Sequence, residues 1–283
     1  PGYTAFAPYT DAPESPHVLW KKPLWFGGIA GGQFGDKSFY TGLSYEQPYA
    51  PLILCGRIIY VEHDPADAAN IIGTRCLDLY TGEEIWFLED VSIDFAQIYD
   101  IENPNEHGLI AHLWDISGPP SNTTARLYDA FTGKYQFTIT NITWGGLRGT
   151  TFGPRGEILS WSIVDAGSNR RLILWNSSKA IHEAFPWIGG EVGEIYDPIM
   201  GSVVDGRLGI QLNTTIPPTP GTIYYISVKE GIIITYASDT STFPITWIHA
   251  AYDAWTGRQP VSYTHLRAHE TRHDLVCRLL LEK

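Results

Sequence analysis

Three five-residue stretches, Asp78-Leu-Tyr-Thr-Gly82, Asp129-Ala-Phe-Thr-Gly133 and Asp253-Ala-Trp-Thr-Gly257, share the pattern Asp-x-aromatic-Thr-Gly, and each follows a short apolar run. A degenerate fourth copy, Trp175-Asn-Ser-Ser-Lys-Ala180, carries Asn176 in place of the aspartate and Ala180 in place of the glycine. Upstream of each stands another glycine that opens a β-rich run: Gly56 before Arg-Ile-Ile-Tyr-Val, Gly108 before Leu-Ile-Ala-His-Leu-Trp, Gly156 before Glu-Ile-Leu-Ser-Trp and Gly231 before Ile-Ile-Ile-Thr-Tyr. The separations between first and second anchors are 26, 25, 24 and 26 residues. A unit copied at a regular spacing constrains a chain strongly, because each copy buries its apolar faces only against its neighbours.

Each unit reads as a four-stranded antiparallel meander. The first glycine turns strand one into strand two, where positive φ carries no steric cost. Polar segments at 64–70, 117–124, 165–169 and 239–243 join strands two and three. At the second anchor the carboxylate accepts backbone N–H groups across the turn and the glycine takes a left-handed position. Asp78, Gly82, Asp129, Gly133, Asp253 and Gly257 are therefore expected as turn formers, together with Gly56, Gly108, Gly156 and Gly231. Strand four follows as Glu83-Glu-Ile-Trp86 and Lys134-Tyr-Gln-Phe137, with a large aromatic four residues past the glycine. The units then span about 50–90, 94–143, 150–216 and 221–260, and Trp20 ends the last strand of an earlier unit near 17–25. The third unit is longer than the others, so 181–206 is expected as an inserted surface loop and Leu208–Ile216 as a delayed fourth strand.

The expected fold class is all-β: a β-propeller of four-stranded antiparallel blades, incomplete at both ends. The anchors resemble those of quinoprotein-like (PQQ-like) propeller repeats, whose consensus runs apolar-Asp-x-x-Thr-Gly-x-x-x-Trp. Leu77-Asp-Leu-Tyr-Thr-Gly-Glu-Glu-Ile-Trp86 matches it throughout, the other copies match in part, and the resemblance spans about residues 17–260. The Gly-His and Trp-Asp marks of WD40 repeats are absent apart from a lone Trp114-Asp115. A tandem array of β-sandwiches is the structural alternative.

Residues 261–283 break with everything before them and resemble translated sequencing-adapter read-through. Ser262–Thr271 read back as the transposase end of a short-read library adapter and Leu275–Leu281 as its flow-cell end. His265, His269 and His273 would share one helix face as metal ligands do, yet adapter DNA accounts for all three. Residue 1 is proline and the single methionine is Met200, so the natural part, 1–260, is expected to be an internal fragment of a longer protein.

The resemblance implies PQQ chemistry only where a vicinal Cys-Cys pair, calcium-binding acids and a catalytic aspartate line the channel. Cys55 and Cys76 are not adjacent, and strand two would separate them. Asp94 and Glu46 are the acids placed to face a ligand from the first strand of a blade, where paired carboxylates do acid–base work; Glu89, Asp90 and Asp100 lie nearby. His63, His107, His112, His182 and His249 show no metal-ligand spacing. No serine sits in a Gly-x-Ser-x-Gly elbow, and the glycine-rich run from Gly27 to Ser38 lacks the Gly-Lys-Ser/Thr order of a phosphate loop. Trp25, Phe26, Trp144, Trp187 and Trp247 lie outside the regular aromatic slots, where rings plug blade ends or stack on sugars and protein partners.

Nineteen Lys and Arg against 31 Asp and Glu give a net charge of −12, which argues against nucleic acid as a partner. No apolar run approaches the ~20 residues of a membrane span. Asn122, Asn141, Asn176 and Asn213 begin four N-glycosylation patterns among only eight asparagines, where chance gives about one. The chain is therefore expected outside the cell or at its surface, as a propeller binding or scaffold module. Its ligand, protein or carbohydrate, is undefined, and it needs no cofactor. The alternative is a PQQ-dependent oxidoreductase or carbohydrate-active enzyme using the channel.

Overall fold

The three Asp-x-aromatic-Thr-Gly turns close with the same hydrogen bonds. One oxygen of Asp78 accepts the N–H groups of Tyr80 and Thr81, both at 2.8 Å. Asp129 does the same for Phe131 and Thr132 at 3.0 and 2.7 Å, and Asp253 for Trp255 and Thr256 at 3.1 and 2.8 Å. Each glycine N–H then donates to the aspartate carbonyl, and φ at Gly82, Gly133 and Gly257 is 73°, 70° and 72°. In physical terms this is the first turn of a helix, capped by the carboxylate and stopped at once by a left-handed residue. The degenerate copy shows what happens without the stop. Asn176 caps in the same way, accepting from Ser178 and Lys179, but the Cβ of Ala180 disfavours left-handed backbone. The chain continues as a helix to Ala184.

The computed structural model describes residues 14–22, 28–29, 38–39, 51–64, 67–103, 106–166, 169–185, 199–218, 221–239 and 246–266. In chain order the first strands are β1 (Gly28–Ile29), β2 (Ser38–Phe39), β3 (Leu52–Leu54), β4 (Arg57–Asp64), β5 (Asp67–Asp78), β6 (Glu84–Glu89), β7 (Phe95–Asn103), β8 (Glu106–Ser117), β9 (Thr123–Asp129) and β10 (Tyr135–Ile142). There follow α1 (Gly146–Gly149), β11 (Thr150–Phe152), β12 (Ile158–Ala166), β13 (Asn169–Asn176) and α2 (Ser177–Ala184). The remaining strands are β14 (Val203–Asp205), β15 (Ile210–Ile216), β16 (Thr222–Ser227), β17 (Ile232–Asp239), β18 (Thr246–Asp253) and β19 (Val261–Leu266). The fold is all-β, with three four-stranded antiparallel sheets, β3-β4-β5-β6, β11-β12-β13-β15 and β16-β17-β18-β19. A fifth strand extends the sheet β14-β10-β9-β8-β7, and β1 pairs with β2.

Two compact units divide the chain. The first comprises Pro1–Gly118, Thr124–Thr140 and Trp187–Val204; the second comprises Pro119–Thr123, Asn141–Pro186 and Asp205–Lys283.

In the first unit, β3 passes to β4 through Cys55 and Gly56 at φ 47° and 73°. Two left-handed residues make the tight hairpin whose twist matches its strands. Gly108, by contrast, is not the turn residue that its spacing suggests. Ile101 pairs with Gly108 and Asn103 with Glu106, so both strands run past it. The bond that ties the two anchors, Leu79 N–H to the Gly56 carbonyl at 2.9 Å, has its counterpart at Ala130 N–H to the Ala111 carbonyl at 3.0 Å.

The two sheets of this unit share one core. Ile59 and Cys76 meet Ala111, Leu113, Tyr128 and Ala130, with Val91 and Ile93 of the connecting segment between them. The buried Thr74 hydroxyl donates to the Val91 carbonyl at 2.7 Å and accepts from Ile93 N–H at 3.2 Å, which fixes that segment. A specific joint accompanies the core: a Cβ on Gly133 would stand 2.9 Å from Trp86 Cδ2, and one on Gly82 would stand 2.7 Å from Trp20 Cδ2. The aromatic four residues past one glycine therefore lies flat on the next turn's glycine, where no larger residue fits. Trp20 also donates Nε1–H to the Leu79 carbonyl at 2.9 Å. Residues 14–22 carry no strand.

In the second unit, Gly156 (φ 83°) and Gly231 (φ 65°) close the turns before β12 and β17. Leu159, Trp161, Leu172, Leu174 and Ile216 pack against Ile223, Ile233, Ala250, Tyr252 and Ala254. Here the joint is remade from other parts. Gly257 faces Thr214 and Ile216 of β15. Trp161 on β12 donates Nε1–H to the Ala254 carbonyl at 2.8 Å, the same position after the aspartate that Leu79 occupies. Residues 181–206 are not the plain surface loop expected: 181–184 finish α2, Val203–Asp205 form β14, and 186–198 lie outside the described residues. The delayed fourth strand is present as β15. Val261–Leu266, at the start of the adapter-like segment, pair with β18 as β19. A free strand edge offers unpaired N–H and C=O groups to any β-capable segment.

Candidate functional site

The aromatic of each Asp-x-aromatic-Thr-Gly turn stands at the surface. Tyr80, Phe131 and Trp255 are 70%, 39% and 39% exposed. Their positions are set by the turn: the ring leans over the first-anchor glycine, with Trp255 Nε1 3.2 Å from where a Cβ on Gly231 would be and Tyr80 Cε2 4.0 Å from one on Gly56. At Phe131 no glycine fills that role, and the Arg57 guanidinium covers the ring at 4.5 Å instead. Trp255 is braced edge-on by Trp161 at 5.7 Å. A ring held rigid yet open on one face is a low-entropy contact surface.

The candidate acid Asp94 precedes β7, where its oxygen accepts Ile116 N–H at 2.7 Å. Its N–H donates to the Trp114 carbonyl at 2.8 Å, and Phe95 stacks on Trp114 at 5.6 Å. Desolvation raises the Asp94 carboxyl above its ordinary value, the Ile116 N–H pulls it back, and the charge of Asp115 raises it again. Asp115, 6% exposed on β8, is raised by its own burial and pulled back by Arg126, opposite it on β9 at 2.5 Å. Asp94, with no guanidinium among the causes of its shift and the charge of Asp115 near it, keeps its proton to higher pH than a free aspartate. The expected partner of Asp94, Glu46, lies outside the described residues. Asp115 and Arg126 were not singled out from sequence, because the two charges face each other only once β8 and β9 are in register.

A third group lies on the face of β16–β18 opposite their core. Tyr236 stacks on Trp247 at 5.1 Å and 25°, with His249 at 5.6 Å and Tyr224 at 5.9 Å. Arg148 of α1 sits 5.8 Å over Tyr224. The pairing of Tyr236 with His249 and of Ser238 with Trp247 places both aromatics and the imidazole on one side. Burial lowers the His249 pKa.

The other expected residues disperse. Cys55 and Cys76 are free thiols, the first exposed in its turn and the second buried, its pKa pushed up to about 11 by desolvation. His112 is fully buried on β8 beside Gln136 Oε1 at 2.5 Å, and desolvation lowers its pKa to about 4. His63 lies in β4, His107 in β8 and His182 in α2. Among the described residues no three His, Cys, Asp or Glu side chains gather as metal ligands do. Trp144 meets Trp175 edge-on at 6.4 Å; Trp25, Phe26 and Trp187 lie outside the described residues. Among those residues no helix is long and apolar enough to cross a membrane. No family model matches this chain, and no curated protein matches it.

Proposed function

We propose that this chain is a β-propeller binding or scaffold module of the quinoprotein-like repeat type, working outside the cytoplasm. Its sheets are successive blades, a reading supported by the tryptophan-on-glycine joint that recurs at Trp20–Gly82 and Trp86–Gly133. The observation that carries the binding role is the exposed ring standing at the same turn in three sheets, Tyr80, Phe131 and Trp255. Such rings stack on the C–H faces of sugars or fill pockets of a protein partner. Affinity electrophoresis in gels containing xylan, mannan or a soluble cellulose derivative tests the carbohydrate arm. The wild-type chain is retarded and the Y80A/F131A/W255A variant is not. Equal mobility of both in every gel, together with equal capture of surface proteins by both, refutes the binding role of these rings.

A second reading rests on Asp94 and Asp115: a carboxyl that holds its proton beside an ion-paired one is suited to act as a general acid on a glycosidic oxygen. D94N then abolishes hydrolysis of a chromogenic glycoside without changing the fold. The PQQ alternative fits poorly, since Cys76 is sealed in the core and no vicinal thiol pair stands among the described residues. No redox step is assigned.

A further inference from the structure

The four glycosylation patterns look alike in sequence but not in structure. Asn176 is the cap of α2: its Oδ1 accepts from Ser178 N–H, Ser178 Oγ–H and Lys179 N–H at 2.9, 2.8 and 3.3 Å, and its Nδ2 donates to Gln211 at 3.0 Å. The hydroxyl that the pattern requires, Ser178, is thus also committed. Asn141 is half-buried at φ 55°, with Nδ2 donating to Asp205 at 3.2 Å. Asn213 is exposed but paired with Ile173 inside a strand, and its Oδ1 takes the Arg171 Nε–H at 2.6 Å. Asn122 differs from all three. It ends the exposed loop between β8 and β9, its backbone N–H closes a turn onto the Pro119 carbonyl at 2.9 Å, and its side chain has no partner among the described residues. The buried Thr123 hydroxyl anchors the same loop to Pro119 at 3.0 Å, so the turn presents Asn122 outward.

We infer that Asn122 is the glycan acceptor of this chain and that Asn141, Asn176 and Asn213 are structural asparagines. The inference rests on the extracytoplasmic reading above, because the donor, a lipid-diphosphate-linked oligosaccharide, is used outside the cytosol. In the transfer, Asn122 Nδ2 bonds to the anomeric carbon and the bond from that carbon to the diphosphate oxygen breaks. The lipid diphosphate leaves with the electron pair, and one amide proton passes to a base of the transferase. A glycan there projects into solvent; on Asn176 or Asn141 it would displace the Nδ2 contact with Gln211 or with Asp205.

The test routes the full chain through a eukaryotic secretory pathway with an independent sequon tag at its C-terminus. Endoglycosidase treatment and peptide mass mapping then read occupancy. The expected result is one glycan-sized mass step beyond the tag, lost in N122Q and equally in T124A, and retained in N141Q, N176Q and N213Q. A glycosylated tag with Asn122 unmodified overturns the inference, as does a glycan on any of the other three. Occupancy of Asn122 here supports it even where the chain in its own cell is found in the cytosol; that second finding overturns the compartment reading alone.

Discussion

Gly133→Ala separates the cost of backbone strain from the cost of a blocked joint. At φ 70° an alanine bears left-handed strain of about 1–2 kcal/mol. Its Cβ also lands 2.9 Å from Trp86 Cδ2, inside van der Waals contact with a ring that the core holds in place. Overpacking of that kind adds about 1–3 kcal/mol. Gly201, in the same unit at φ 78°, would place its Cβ in open space, so Gly201→Ala bears the strain alone. Urea unfolding followed by tryptophan fluorescence should therefore show G133A losing about 2–5 kcal/mol and G201A about 1–2 kcal/mol. In a W86A background the two glycine substitutions should cost the same, since the ring is gone. That convergence is a double-mutant cycle on the joint itself. Equal losses for G133A and G201A with Trp86 intact would refute the packing argument.

Asp253→Ala removes the oxygen that holds two turn N–H groups and should cost about 1 kcal/mol; Asp253→Asn, which keeps an acceptor, should recover much of it, as measured by thermal unfolding. Ala180→Gly should destabilise α2 by about 1 kcal/mol, seen as faster amide exchange at residues 181–185. Because Asp94 and Asp115 have folded pKa values raised above the usual 3.8, the native state binds more protons than the unfolded one just above that pH. The contribution of these two carboxyls then falls as pH rises through this window, against the rising contribution of His112, whose pKa burial lowers to about 4, and D94N should make stability climb more steeply with pH in unfolding curves taken from pH 4 to 7. Thiol labelling followed by peptide mapping should modify Cys55 in the native protein and Cys76 only on unfolding, since the Cys76 thiol is buried with its pKa near 11.

The Asp-x-aromatic-Thr-Gly turns were legible because their chemistry is local: a short carboxylate and a residue free to be left-handed suffice. The hairpins at Gly56, Gly156 and Gly231 follow for the same reason. Gly108 misled because spacing alone does not show whether a strand pair stops, and the ladder between β7 and β8 runs on wherever rungs remain favourable. The 181–206 segment was hidden because β14 is held by the edge of a distant strand, a long-range contact with no local signature. Asp115 escaped notice in an apolar run, where one acid opposite Arg126 is visible only once the strands are in register. The Trp86–Gly133 joint was half legible. The tryptophan position was periodic, but what it touched was not.

Trp86 reaching forward and Gly133 receiving it make a contact with a direction, one surface unlike the other. Head-to-tail interfaces of this sort have two outcomes: they continue without end, or their accumulated rotation brings the last member back to the first. Such a clasp fixes which of the two sheets leads and which follows. A substitution that blocks Gly133 would therefore be felt by both sheets that the clasp joins and not merely as a local dent.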